Sequence, residues 1–310
     1  MIHAERCPRP RSQQGLVLLA LLAILLAVVL YVVVGHLDAT ALKLRQDETT
    51  ARALAQAKDA LLARATLDGN RPGSLPCPDT DGDGIANLLA GQHCPSYLGR
   101  LPWRTLGIGE VRDGAGELLW YALSPTFRDD DSAQPIYTAT VGNLSLDGIS
   151  DVAAIIFAPG APAPGQTGRP SNAVDQYLES DNAGGDTSYV SMSQAADVND
   201  RSLMISRGEL MQSVSRRVTR ELGQAVGHYY DEHATLPCAA TVDGTPQPDL
   251  LSGLFPYSDS DLDFDAATLA WLQSNQWFTV VQYSVNGCAP NSGNIATIQS
   301  DAVTNAFKFP

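Results

Sequence analysis

Apolar positions are spread unevenly along the chain, and the first of them form a run without polar interruption. Leu16 to Val34 reads LVLLALLAILLAVVLYVVV, nineteen residues with no charge, Gly or Pro. At helical rise this covers roughly 29 Å, about one hydrocarbon core. A buried helix of a soluble protein needs no such run, so the pattern predicts a transmembrane helix over 16–35. Arg6, Arg9 and Arg11 precede the run and Asp38 follows it. That asymmetry places the N-terminus in the cytoplasm and everything after Gly35 outside. A cleaved secretory signal is the rival reading. Against it, Val33-Val34-Gly35 makes a poor cleavage site and the apolar run exceeds a usual signal core.

The pattern then changes to an amphipathic one without a break. Residues 36–67 stay compatible with helix and contain no Gly or Pro after His36. Leu54, Leu61 and Ala65 recur on one face, with Ala57 and Lys58 between them. Asp68-Gly69 ends the pattern and Pro72 lies just beyond. Anchor and continuation together predict one rod of about 50 residues, roughly 75 Å long. A second helical pattern runs from Ser206 to His233, with Met211, Val214, Val218, Leu222 and Val226 as its apolar stripe.

Strand-like runs occupy the rest: Leu118–Leu123, Val152–Phe157 and Phe278–Val285. The second is followed by a Pro/Gly loop, APGAPAPGQTGRPSN, and the first is preceded by the turn Asp113-Gly114-Ala115-Gly116. Leu75-Pro76-Cys77 recurs as Leu236-Pro237-Cys238, each time after a helix. A degenerate duplication and chance similarity both account for this. The expected organisation is an α+β fold: a long N-terminal helix, half transmembrane and half amphipathic, packed on a mainly antiparallel β head. A first β-rich unit spans 68–200 and a second helix-plus-strands unit spans 201–310.

Charge narrows the partners. The formal net charge is -14, although the first fifteen residues carry three Arg against one Glu. Such a surface repels nucleic acid and anionic lipid, and no basic footprint for nucleic acid is present. Apolar and charged fractions are those of an ordinary globular protein.

Five cysteines occur. Cys7 precedes the anchor, leaving Cys77, Cys94, Cys238 and Cys288 outside the cytoplasm, where disulfides persist. Four cysteines allow three connectivities, and sequence proximity favours Cys77–Cys94 with Cys238–Cys288. A zinc site competes, but there is no CxxC pair and no histidine at ligand spacing.

Asp79-Thr80-Asp81-Gly82-Asp83-Gly84 has the opening of a calcium loop, alternating carboxylates with a Gly to turn the chain. Position 12 of an EF-hand needs Glu and is Ala90 here, so the loop is not a full EF-hand. A calcium site at Asp79, Asp81 and Asp83 and a solvated turn both fit. Asp259–Asp265 reads as a turn or as the N-terminal cap of a helix beginning at Ala266, and Asp129-Asp130-Asp131 as a turn. Nucleophile-elbow, HExxH, P-loop and dinucleotide motifs are absent, and His228 and His233 are not at i, i+4 spacing. No catalytic residues are expected, and none of the four Trp stands in a recognisable ligand platform.

A short basic leader ending in Gly, then a rod half in membrane and half on a head, resembles type IV pilins and type II secretion pseudopilins. The leader matches at Arg11-Ser12-Gln13-Gln14-Gly15. The resemblance implies a leader over 1–15, cleavage between Gly15 and Leu16 by a prepilin peptidase, and methylation of the new N-terminus. It implies other pilins or pseudopilins as partners through the N-terminal helix, and location in the bacterial inner membrane with the head in the periplasm. The chain departs from the family at two places. Leu16 stands where Phe or Met is usual, and Ala20 stands where most members carry Glu. A carboxylate in lipid is costly unless it meets a cation, which is how that Glu is thought to pair with a neighbour's amine. The large K-type subunit at the pseudopilus tip also lacks it. A minor, tip-like or initiating, non-enzymatic subunit is therefore expected. Some pseudopilins bind structural calcium, which favours calcium as the only cofactor to consider. The motifs LPC, DGDG, IIFAPG and YLES also resemble a group of large pilin-like proteins known mainly from bacterial genomes.

Overall fold

The structure is a computed structural model describing residues 14–89, 93–129, 134–192, 198–290, 292–301 and 303–310. It is α+β. In chain order the elements are α1 (Gln14–Leu67), β1 (Leu98–Arg100), β2 (Trp120–Leu123), β3 (Leu144–Leu146), β4 (Ile149–Ala158), β5 (Ser188–Tyr189), β6 (Arg201–Ser206), α2 (Arg207–His233), β7 (Ser252–Leu254), α3 (Ala266–Ser274), β8 (Gln282–Val285), β9 (Ile295–Ser300) and β10 (Val303–Lys308). The chain divides into two compact units, one up to Glu48 and one from Thr49 to Pro310.

In the first unit, every described side chain from Leu18 to Val29, and Tyr31, is exposed. The expected membrane span lies only partly within the described side chains, since those of Leu16, Val17, Leu30 and residues 32–34 fall outside them. Among the described residues, no helix is long and apolar enough to cross a membrane. Cys7 and most of the expected leader also lie outside the described residues.

The second unit is built around two sheets. The first has the order β1-β2-β4-β3-β5, with β6 on the other edge of β4. β4 is its spine. It pairs with β2 through Ala154–Phe157, with β3 at Ile149 and Val152, and with β6 through Val152–Ala158. Val, Ile and Phe in an unbroken run suit a strand covered on both faces, and its last seven residues are all buried. One face meets Ala57, Leu61, Met211 and Val214 from the helices. The other meets Tyr177, Leu178 and Tyr189 from residues 159–190, which form a cover of loops and short 3-10 turns that ends in the edge strand β5. The second sheet, β10-β9-β8-β7, is wholly antiparallel.

α2 touches β4 and β6 of one sheet and β9 and β10 of the other. Its stripe of Leu210, Met211, Val214, Val218, Leu222 and Val226 is buried, at the spacing the sequence predicts. Ser206 caps its N-terminus by accepting from the Glu209 N–H, and Ala234 ends it in the left-handed region. Within this unit, α1 buries Ala53, Leu54, Ala57, Leu61 and Ala65. A Leu buried as fully as Leu61 contributes about 1.5–3 kcal/mol. Lys58 Nζ donates to the Met204 carbonyl and pairs with Glu209 at 2.7 Å. Arg217, stacked on Trp271, donates to the carbonyls of Thr66 and Asp68 and so satisfies the end of α1.

Two expectations need correction. The run Phe278–Val285 is not one strand. Gln276 takes a left-handed conformation, Trp277–Thr279 forms a 3-10 turn that buries Trp277 and Phe278, and only Gln282–Val285 pairs as β8. Leu118 bridges Arg112 across the Asp113 turn, so β2 begins at Trp120. β6 belongs to the first sheet, and residues from Thr49 onward form one compact unit.

Candidate functional site

The cysteines join as Cys77–Cys94 and Cys238–Cys288, with Cα separations of 5.4 and 5.0 Å. The first bridge closes the segment that carries Asp79, Asp81 and Asp83. Within that segment Asp79 is buried, and Asp81 and Asp83 are exposed. Asp79 Oδ1 accepts from the N–H groups of Asp81 and Gly82, and Oδ2 from Gly84. Asp81 Oδ1 accepts from Asp83, and Asp83 Oδ1 from Ile85. Each carboxylate thus turns the chain two to five residues ahead. Gly82 and Gly84 have positive φ, which these turns require.

The three carboxylates each bring an oxygen within 4.8 Å of the others. Such a set of hard oxygen donors fits calcium. Asn87, which sequence reasoning passed over, adds an amide to the loop. Its Oδ1 accepts from the N–H and hydroxyl of Thr80, and its Nδ2 reaches Asp81. Burial pushes the Asp79 carboxyl up, opposed by the N–H groups of Gly82 and Gly84 and reinforced by the neighbouring Asp81. A cation at the loop would favour the ionised form of all three carboxyl groups.

The cover over the first sheet reaches this loop. Asn172 Nδ2 donates to the Asp81 carbonyl at 2.9 Å. Arg100 lies against the touching rings of Trp120 and Tyr177, at 5.4 and 4.9 Å from their centres, and donates to the Ser171 carbonyl. At its other end the cover is held by the Asp113 turn, where Asp113 Oδ2 accepts from the Gly160 N–H. Arg169 pairs with Glu117 and stacks on Tyr177. No local sequence pattern marks Arg100, Arg169 or Asn172, because each acts on residues far along the chain.

The remaining predicted positions divide cleanly. Asp265 caps α3 through the Thr268 N–H, one of the two roles the acidic run 259–265 offered. Asp129 pairs with Arg64 at 2.9 Å, while Asp130 and Asp131 lie outside the described residues. Ala90 also lies outside them. Gly15 and Leu16 sit in the first turn of α1, and their side chains are not among those described. Compared with protein-family models, curated proteins and solved structures, the chain matches none significantly.

Proposed function

We propose that this chain is a non-enzymatic minor subunit, tip-like or initiating, of a type IV pilus or type II secretion pseudopilus. The observation that carries this reading is the two-fold character of α1. Its apolar stretch from Leu18 to Val29 is exposed, whereas Leu54, Ala57, Leu61 and Ala65 are buried in the head. An exposed apolar surface of that extent calls for lipid or for like helices. In this reading the helix resides in the inner membrane, with the head in the periplasm, and packs laterally on other pilins or pseudopilins after extraction. A prepilin peptidase removes residues 1–15 and Leu16 is methylated. Ala20 cannot make the carboxylate–amine pair of a repeating subunit, which favours a place at one end of the filament. Mass spectrometry of the mature N-terminus tests the proposal. It expects Leu16, and an N-terminus at Met1 or beyond Gly35 overturns it. Immunogold labelling along the whole filament would overturn the tip-like placement alone.

The Asp79–Asp81–Asp83 cluster favours a second reading, a membrane-tethered, calcium-stabilised adhesin that never polymerises. Unprocessed leader together with calcium-dependent stability of the head would select it.

A further inference from the structure

We propose that Asp200 and Glu179 share one proton, and that this shared proton latches the cover, residues 159–190, onto the first sheet. Asp200 is fully buried at the entrance to β6. Its Oδ2 accepts from the Glu179 N–H and from Asn182 Nδ2, both at 3.2 Å. Among the described residues, its Oδ1 meets no donor. Glu179 Oε1 accepts from Gln166 Nε2 at 2.9 Å, and Oε2 from the Asn199 N–H at 3.1 Å. The backbone sets the two carboxyl groups side by side, since Asp200 accepts from the N–H of Glu179 and Glu179 accepts from the N–H of Asn199, the residue before Asp200.

A buried acceptor without a donor is costly, and two bare carboxylates side by side cost more. A single proton on Asp200 Oδ1, donated to Glu179, removes both costs. A metal ion would not: three of the four oxygens already face N–H donors, leaving one for coordination. The surrounding charges do not supply the missing cation either. Arg169 stops one amide short, donating to Gln166 Oε1 and pairing with Glu117. Arg201, next along β6, has partners of its own. Asp181 and Asp186, also in the cover, add only negative charge, and Tyr189 is a buried phenol.

The latch closes the cover because its parts come from both sides. Glu179, Asn182 and Gln166 belong to the cover and Asp200 to the strand. Asn182 in turn exchanges hydrogen bonds with the backbone of Val190. Burial first, and Glu179 second, push the Asp200 carboxyl up to about 8. With the cover open, Asp200 returns to the ordinary carboxylate range near 4. Its value is raised by closure, so closure is fully supported below the ordinary value. Support weakens by about tenfold per pH unit as pH rises toward 8, then levels off.

The test is hydrogen exchange of the full-length chain in detergent, read by mass spectrometry over residues 174–190 and corrected for intrinsic exchange. Protection should fall about 100-fold or more from pH 5 to pH 8. Asp200→Asn should hold protection nearly constant across that range, because its amide N–H donates to Glu179 at any pH. Glu179→Gln should also flatten the slope, since its amide can donate to an ionised Asp200, and it serves if Asp200→Asn fails to fold. Flat protection in the unmodified chain, or a slope retained in either variant, overturns the proposal.

Discussion

Asp79 and Asp200 are both buried carboxyl groups, and burial pushes both up. They are satisfied in opposite ways. Asp79 meets three backbone N–H groups, all within five residues of it. Asp200 meets one backbone N–H, one amide and a second acid, at separations of 18 and 21 residues for its two donors. A carboxylate wrapped by its own turn keeps its charge and is available to a cation. Asp200, set beside a second acid and short of one donor, keeps its place in the proposed latch by taking up a proton. Chain distance between a group and its donors thus sorts two buried acids into a candidate cation ligand and a titrating latch.

The largest expected effect breaks one side of this comparison alone. Replacing Cys77 and Cys94 by Ser opens the loop of 17 residues that holds Asp79, and should cost about 3 kcal/mol in urea denaturation. The pH slope of protection in the cover should survive it, since no member of the Asp200 latch lies in that loop. Next, Asp79→Ala strands three N–H groups and should cost about 2–3 kcal/mol, while Asp79→Asn, which keeps one acceptor oxygen, should cost about half as much. Thermal unfolding of the two variants side by side measures the ratio.

Calcium sharpens the contrast. At ten times its dissociation constant, a cation bound only by the folded loop adds about 1.4 kcal/mol. The melting temperature should rise with added calcium, fall back with chelator, and stop responding in Asp81→Asn. No rise in the unmodified protein would sink the cation reading of Asp79, Asp81 and Asp83. Smallest is Asn87→Ala, expected at about 1 kcal/mol, because the two Thr80 bonds and one long, exposed contact to Asp81 are lost.

Asp68 gives the comparison a third point. Burial raises its carboxyl, but the Arg71 N–H, the Arg64 guanidinium and the Asn70 N–H together outweigh that and hold it low. Its contribution is therefore present above the ordinary carboxylate value and lost as pH falls through the lowered one. Acid should weaken the end of α1 while it tightens the cover. Hydrogen exchange around residues 62–71 and 174–190 should move in opposite directions between pH 5 and pH 3, and parallel movement would contradict both assignments.

The same distinction decides how much could be read from the residues in order. α2, β4, the cap at Asp265 and the turn at Asp113 are legible because their signals repeat every two to four residues or act across one turn. The pairing of cysteines follows from proximity for the same reason. The 3-10 turn at Trp277 escaped because two large aromatics in a run of apolar residues look like strand until their packing is known. The cover escaped entirely. A Pro/Gly-rich stretch reads as open loop, and nothing local announces that Arg100, Arg169, Gln166 and Asp200 will turn it into the second wall of a sheet.

One feature of the fold bears on mechanics. α1 ends against Arg217, and Lys58 ties its side to Met204 and Glu209, so both links run to α2 and the strand before it. α2 in turn rests on four strands drawn from both sheets. A pull applied to α1 thus reaches the first sheet directly, through β6 and the packing of Ala57 and Leu61, and both sheets through α2. A load on α1 is therefore spread over two β-sheets rather than borne by one.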